Sequence, residues 1–212
     1  MAIPLHTVPG SELPELLWYH RAADDAQHVT ARFRPPLFDG WRSKPDGGLW
    51  AAVARDFAGP ALSDWGQFEE HAEVKGHAYV SRLVPNPDAR FVVVDSGADG
   101  AALAQAFPGV EGASTLAKLL GKDLDDFKER VPDPSPPLAS LLGYGRQQPP
   151  LVDFTLLAQH QYAGVYLTSR GLMECRLPLP PGVPDLWCWD VETVWFRVPE
   201  LHVEDTRRWE SV

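Results

Sequence analysis

The sequence predicts an α+β fold, and three observations carry that reading. About six or seven short β-rich runs are spread from residue 16 to the C-terminus, with helical segments grouped between them instead of alternating with them one for one. The common nucleotide-binding loops of doubly wound sheets, GxGxxG and GxxxxGKS/T, are absent. Neither half of the chain carries a full set of strands, so residues 1–212 read as a single domain, and 44% apolar residues supply a sizeable core.

The elements follow in chain order. After a proline-punctuated start, LLWYHRA (16–22) reads as a short strand, with Trp18 and His20 on one face and Tyr19 and Arg21 on the other. A polar stretch leads to SKPDGG (43–48), whose Pro, Asp and Gly mark a tight turn into LWAAVA (49–54), a second strand. SDWGQFEEHAEVK (63–75) predicts one short helix capped by Ser63 or Asp64. HAYVSRLVP (77–85) alternates as a strand, and ARFVVVDS (89–96) is the unbroken β-branched run of a central strand. GADGAALAQAF (97–107) and STLAKLLGKDLDDFKERV (114–131) read as helix, the second broken at Gly121. Residues 132–150, rich in Pro, Gly and Ser, read as a long internal loop. LVDFTLLAQHQ (151–161) predicts a further helix and YAGVYLTS (162–169) a strand. The Pro-rich LPLPPGVP (177–184) turns the chain into WCWDVETVW (187–195), and LHVEDTRRW (201–209) is the last strand.

Composition narrows the classes of function. A formal net charge of −10 and a pI near 5.1 disfavour a nonspecific grip on nucleic acid, which rests on many Lys and Arg contacts to phosphate. Two cysteines, Cys175 and Cys188, form neither a disulfide framework nor a zinc motif. His71 and His77 are badly spaced for one helical face, and no HExxH or CxxC accompanies them, so no metal is expected. GxSxG is also absent. With no signal-like N-terminus and no membrane-length apolar window, the expectation is a cytoplasmic protein without a membrane partner.

WCWDVETVW carries the chemistry. Read as one strand, it puts Asp190 and Glu192 on the same face, their Cα atoms roughly 6.5–7 Å apart, close enough to serve one small-molecule site. The same pattern also describes an antiparallel strand with one wet face.

LWYHRA, SKPDGGLWAAV and WDVETVWFRV occur in that order, and AQHQYAGVYLT runs a helix into a Gly-Val strand. In these motifs the chain resembles the ADP-ribosyltransferase-like superfamily, in particular its small bacterial and phage members. The resemblance spans most of the sequence through short motifs. It implies two small twisted, mainly antiparallel sheets that form a cleft, with helices packed around them and NAD bound in the cleft as substrate. It implies that His20 orients the adenine-side ribose and that Gly48, Leu49 and Trp50 hold the nicotinamide ribose. Tyr19, Trp65 and Tyr166 complete the cofactor-binding aromatic set. Glu192 or Asp190 becomes the late catalytic acid, Glu192 being favoured because Glu is the commoner choice in the superfamily.

Ala51 departs from the pattern, since the group usually has Ser or Thr there. The resemblance thus implies an NAD-dependent transferase acting on a protein or nucleic-acid acceptor. The alternative is a non-catalytic binding or immunity-type module with a degenerate cleft. The residues themselves keep plainer roles open as well. His20 fits a core histidine with satisfied nitrogens, Trp50 and Trp65 fit core packing, and Tyr162 and Tyr166 fit cross-strand packing around Gly164.

Overall fold

The computed structural model describes residues 4–33, 45, 47–55, 63–71, 79–109, 150–176, 181–186 and 189–209. The expected helix at 114–131, loop at 132–149, His77, Trp187, Cys188, and parts of the 43–48 and 177–184 turns lie outside the described residues. Eight strands form one sheet: β1 (Thr7–Pro9), β2 (Leu16–His20), β3 (Leu49–Val53), β4 (Tyr79–Pro85), β5 (Arg90–Val94), β6 (Gly164–Leu167), β7 (Thr193–Phe196) and β8 (Leu201–Arg208). Their order is β1-β5-β6-β7-β3-β2-β4-β8, antiparallel throughout except for β5 with β6. That parallel pair is possible because a long crossover separates its strands, beginning with a helix. The α+β class expected from the sequence is what the chain adopts.

Helices flank the sheet: α1 (Val29–Arg32), α2 (Asp64–His71), α3 (Gly97–Ala106) and α4 (Ser169–Glu174). Ser96 starts α3 by accepting the amide of Asp99 and donating its hydroxyl to the Asp99 carboxylate, so helix begins directly after β5. Thr168 caps α4 in the same way, accepting from Gly171 N at 3.0 Å. The segment 151–161, expected as an α-helix, is a 3₁₀ helix at Phe154–His160. None of the helices among the described residues is long and apolar enough to cross a membrane.

The sheet is covered on both sides, which is why β5 reads as a continuous apolar run. Val92 and Val94 of β5, Val165 and Leu167 of β6 and Trp195 of β7 pack beneath Leu103 of α3, Phe107 just after it, Leu157 and Leu172. Phe91, Val194 and Phe196 point the opposite way into a second cluster with Leu16, Leu49, Ala51 and Leu83. The period of two along β7 splits Trp195 from its neighbours across the two layers. Cys175 is buried in the first cluster, and burial pushes its thiol up to about 12, leaving an unreactive core group.

The resemblance implied two separate sheets, whereas the described residues build one. The join is slight. β2 and β3 pair only at Leu16↔Val53 and Leu17↔Ala52, although β2 runs on to His20 and β3 begins back at Leu49. On their outer sides β4 holds the full length of β2, and β7 holds β3 from Leu49 to Ala52. Two strand groups, β2-β4-β8 and β3-β7-β6-β5-β1, therefore meet at a short seam and part beyond it.

Candidate functional site

The parting of β2 and β3 opens a cleft of about 460 Å³, within the ~300–1,000 Å³ usual for small-molecule sites. Bulky side chains on the two strands pack away from one another, each onto its own group. Trp18 stacks on His20 with ring centroids 4.6 Å apart, and His20 stacks in turn on Tyr79, its register partner on β4. Trp50 turns to Trp189 at 4.7 Å, edge to face, and to Trp195 at 6.4 Å. The cleft is walled by aromatic faces on both sides.

At the end away from the seam the turn into β3 is set by Gly47 and Gly48, with φ of +96° and +69°. A Cβ on Gly48 would collide with the Trp195 indole and the Phe196 carbonyl, so glycine is required both for conformation and for space. The indole Nε1 of Trp195 donates to Gly47 O at 2.9 Å and ties this turn to β7.

His20 is 3% exposed and held at both ring nitrogens. Nδ1 lies 2.8 Å from Ala22 O; a carbonyl only accepts, so Nδ1 carries a hydrogen. Nε2 lies 2.8 Å from Ser81 Oγ, which is itself 2.7 Å from Thr206 Oγ1. In the neutral ring Nε2 accepts from Ser81, and Ser81 accepts from Thr206. The imidazole thus lines the cleft as a nearly buried ring stacked on Trp18 and Tyr79, while its nitrogens brace β2 against β4 and β8. Tyr19 is braced in the same fashion: its hydroxyl is 2.6 Å from Ser63 Oγ and its ring meets Trp209 edge to face at 5.1 Å.

The late acids separate. Residues 187–195 are not one strand: β7 starts only at Thr193, and Asp190 sits in the left-handed region with φ of +41°. Short polar side chains such as Asp tolerate that conformation better than most. One left-handed residue breaks the alternation, so Asp190 lines the cleft beside Trp189, Val191 and Thr193, and Glu192 does not. Arg176 fixes the bend by donating Nη2 to Asp190 O at 2.9 Å.

Glu192 is instead a staple. Tyr166 donates its hydroxyl to Glu192 Oε1 at 2.6 Å, and Ser169 donates to Oε2 at 2.8 Å, joining the start of β7 to β6 and α4. Burial, and then the bond to Glu192, raise the Tyr166 hydroxyl well above the usual phenol range. Tyr166→Phe is expected to cost about 1–2 kcal/mol in chemical denaturation while leaving ligand binding in the cleft unchanged. A variant that kept full stability but lost binding would place Tyr166 in the site after all.

Of the expected site residues, the structure brings together His20, Tyr19, Gly48, Leu49, Trp50, Trp65 and Asp190, and leaves Glu192 and Tyr166 outside. It adds Trp18, Arg21, Asp25, Trp189 and Thr193. Ala51 is fully buried in the core layer and does not face the cleft, so a hydroxyl at that position would not reach a ligand without rearrangement. The hydroxyl on this part of the wall belongs to Thr193, which donates to Ala51 O at 3.2 Å. Sequence alternation pairs Thr193 with Trp195 and gives no sign of that role. No protein-family model, no curated protein and no solved structure matches this chain.

Proposed function

We propose that the chain is an NAD-dependent ADP-ribosyltransferase whose dinucleotide lies in the β2–β3 cleft, acting on a protein or nucleic-acid acceptor. The observation that carries this reading is the convergence of His20, Trp50 and Asp190 on one hollow from three widely separated parts of the sequence. Aromatic walls suit a flat nicotinamide or adenine ring, and a carboxylate at the rim suits the ribose. In the reaction the bond between the ribose anomeric carbon and the nicotinamide nitrogen breaks, its electron pair leaving with neutral nicotinamide. Positive charge then develops on the ribose, and the Asp190 carboxylate stabilises it and accepts a ribose hydroxyl hydrogen. An acceptor nucleophile forms the new bond to the anomeric carbon and gives up its proton to solvent water.

The occupied nitrogens of His20 favour a second reading, a non-catalytic binding module, because they are not offered to a ribose without breaking bonds to Ala22 and Ser81. Incubation of the pure protein with NAD separates the two. Release of nicotinamide, abolished by Trp50→Ala, is expected for the enzyme. An NAD-induced rise in melting temperature without nicotinamide release would support the module, and neither effect would remove NAD from the account.

A further inference from the structure

A second hollow of about 450 Å³ shares no lining residue with the β2–β3 cleft. It is walled by the turn between β4 and β5, the first residue of β5, the end of the 3₁₀ helix at His160 and Gln161, and the chain leaving β7 at Arg197. Its chemistry differs from that of the cleft: the walls are mainly polar, with two guanidinium groups and an imidazole.

Arg197 is half-buried and donates Nε to Tyr162 O at 2.9 Å. Among the described residues no carboxylate lies within ion-pair distance of it. Burial pulls its pKa below the ordinary arginine value, and the Glu200 carboxylate, beyond ion-pair distance across the hollow, opposes that shift only in part. Arg90 likewise has no carboxylate partner among the described residues; it donates Nη2 to Thr7 Oγ1 at 2.8 Å and lies over the Tyr162 ring at 5.8 Å. Packing against Phe107 and Tyr162 fixes His160 beside them. Gln161 is held at φ of +60°, a conformation uncommon outside glycine that persists only where the surroundings enforce it.

Two carboxylates complete the lining. Glu200 accepts from Asn86 Nδ2 at 2.9 Å through one oxygen, which orients the other, and Asp88 stands exposed at the turn. Cations and carboxylates around one polar hollow match a ligand that carries both an oxyanion and hydroxyl groups. At about 450 Å³ the hollow is more than a bare phosphate fills.

We propose that this hollow is a second ligand site, for a phosphorylated polyhydroxy small molecule of sugar-phosphate size. Arg197 and Arg90 take the phosphate, for which the planar guanidinium is well suited, and Glu200 and Asp88 accept hydroxyl hydrogens from the sugar. The net charge of −10 argues against a long polyanion as the occupant.

Isothermal titration of the full chain with ribose 5-phosphate tests this. Saturable binding with a Kd below about 1 mM is expected, with ribose silent and inorganic phosphate about tenfold weaker or more. Arg197→Gln and Arg90→Gln should each weaken binding about tenfold or more, while Trp50→Ala in the cleft leaves it unchanged. Arg90 is exposed, so its variant remains informative even if Arg197→Gln disturbs the turn held by Tyr162. Absence of saturable binding, equal affinity for phosphate alone, indifference to Arg90→Gln, or loss of binding in Trp50→Ala would each overturn the proposal. None of these outcomes depends on whether the chain turns over NAD.

Discussion

Gly164→Val is expected to be the most destabilising single substitution in the sheet, costing more than the ~1–3 kcal/mol of ordinary core overpacking. Gly164 opens β6 between Phe91 on β5 and Phe196 on β7. A Cβ there would meet the Trp195 carbonyl oxygen, far inside contact distance, and the obstacle is backbone that cannot rotate away. To admit any side chain, β6 and β7 must separate, and β7 carries both the Trp195 anchor of the core and the Thr193 wall of the cleft. With typical domain stabilities of ~5–15 kcal/mol, Gly164→Val should leave a substantial unfolded population or an insoluble product. Gly164→Ala should fall between Gly164→Val and wild type in urea denaturation. A valine variant with a wild-type midpoint would show that the β6–β7 spacing is wrong.

Asp190→Asn and Glu192→Gln are expected to separate function from stability. Asp190 lines the cleft and Glu192 does not, so only the first should abolish nicotinamide release from NAD. Removing a charge that stabilises the transition state should cost about 10²–10³-fold in kcat, with little change in Tm. Glu192→Gln should keep kcat within about threefold but weaken the staple to Tyr166 and Ser169, lowering stability by about 1–2 kcal/mol. The reverse pattern, an inactive Glu192→Gln beside an active Asp190→Asn, would return the catalytic role to Glu192.

Much of the sheet was legible in the sequence because its signals are local. Unbroken β-branched residues in β5 and alternation in β4 correspond to strands buried on both faces or on one. β1 left no comparable trace: three residues ending in proline are too short to show a period. α4 was hidden behind a strand-like run, since Thr168 reads equally well as the end of β6 and as the cap it is.

The site was legible in its members and not in its shape. Trp18, His20 and Trp50 stand out in sequence as aromatic residues on short strands, but the place where β2 and β3 stop pairing is set by long-range packing. Asp190 shows the limit most clearly. Period-two reasoning placed it beside Glu192, and a single left-handed residue, which no alternation rule detects, sends the two acids to different places. The half-buried guanidinium of Arg197 was equally invisible, because the absence of a carboxylate within ion-pair distance among the described residues is a property of the fold and not of the sequence around it.

Amide hydrogen exchange with and without NAD tests most directly whether the gap between β2 and β3 is the ligand site. Exchange should slow in the peptides covering residues 16–20 and 49–53 when NAD is present, and stay unchanged in the edge strand at 201–208. Slowing confined to other parts of the chain, or none at saturating NAD, would contradict the account.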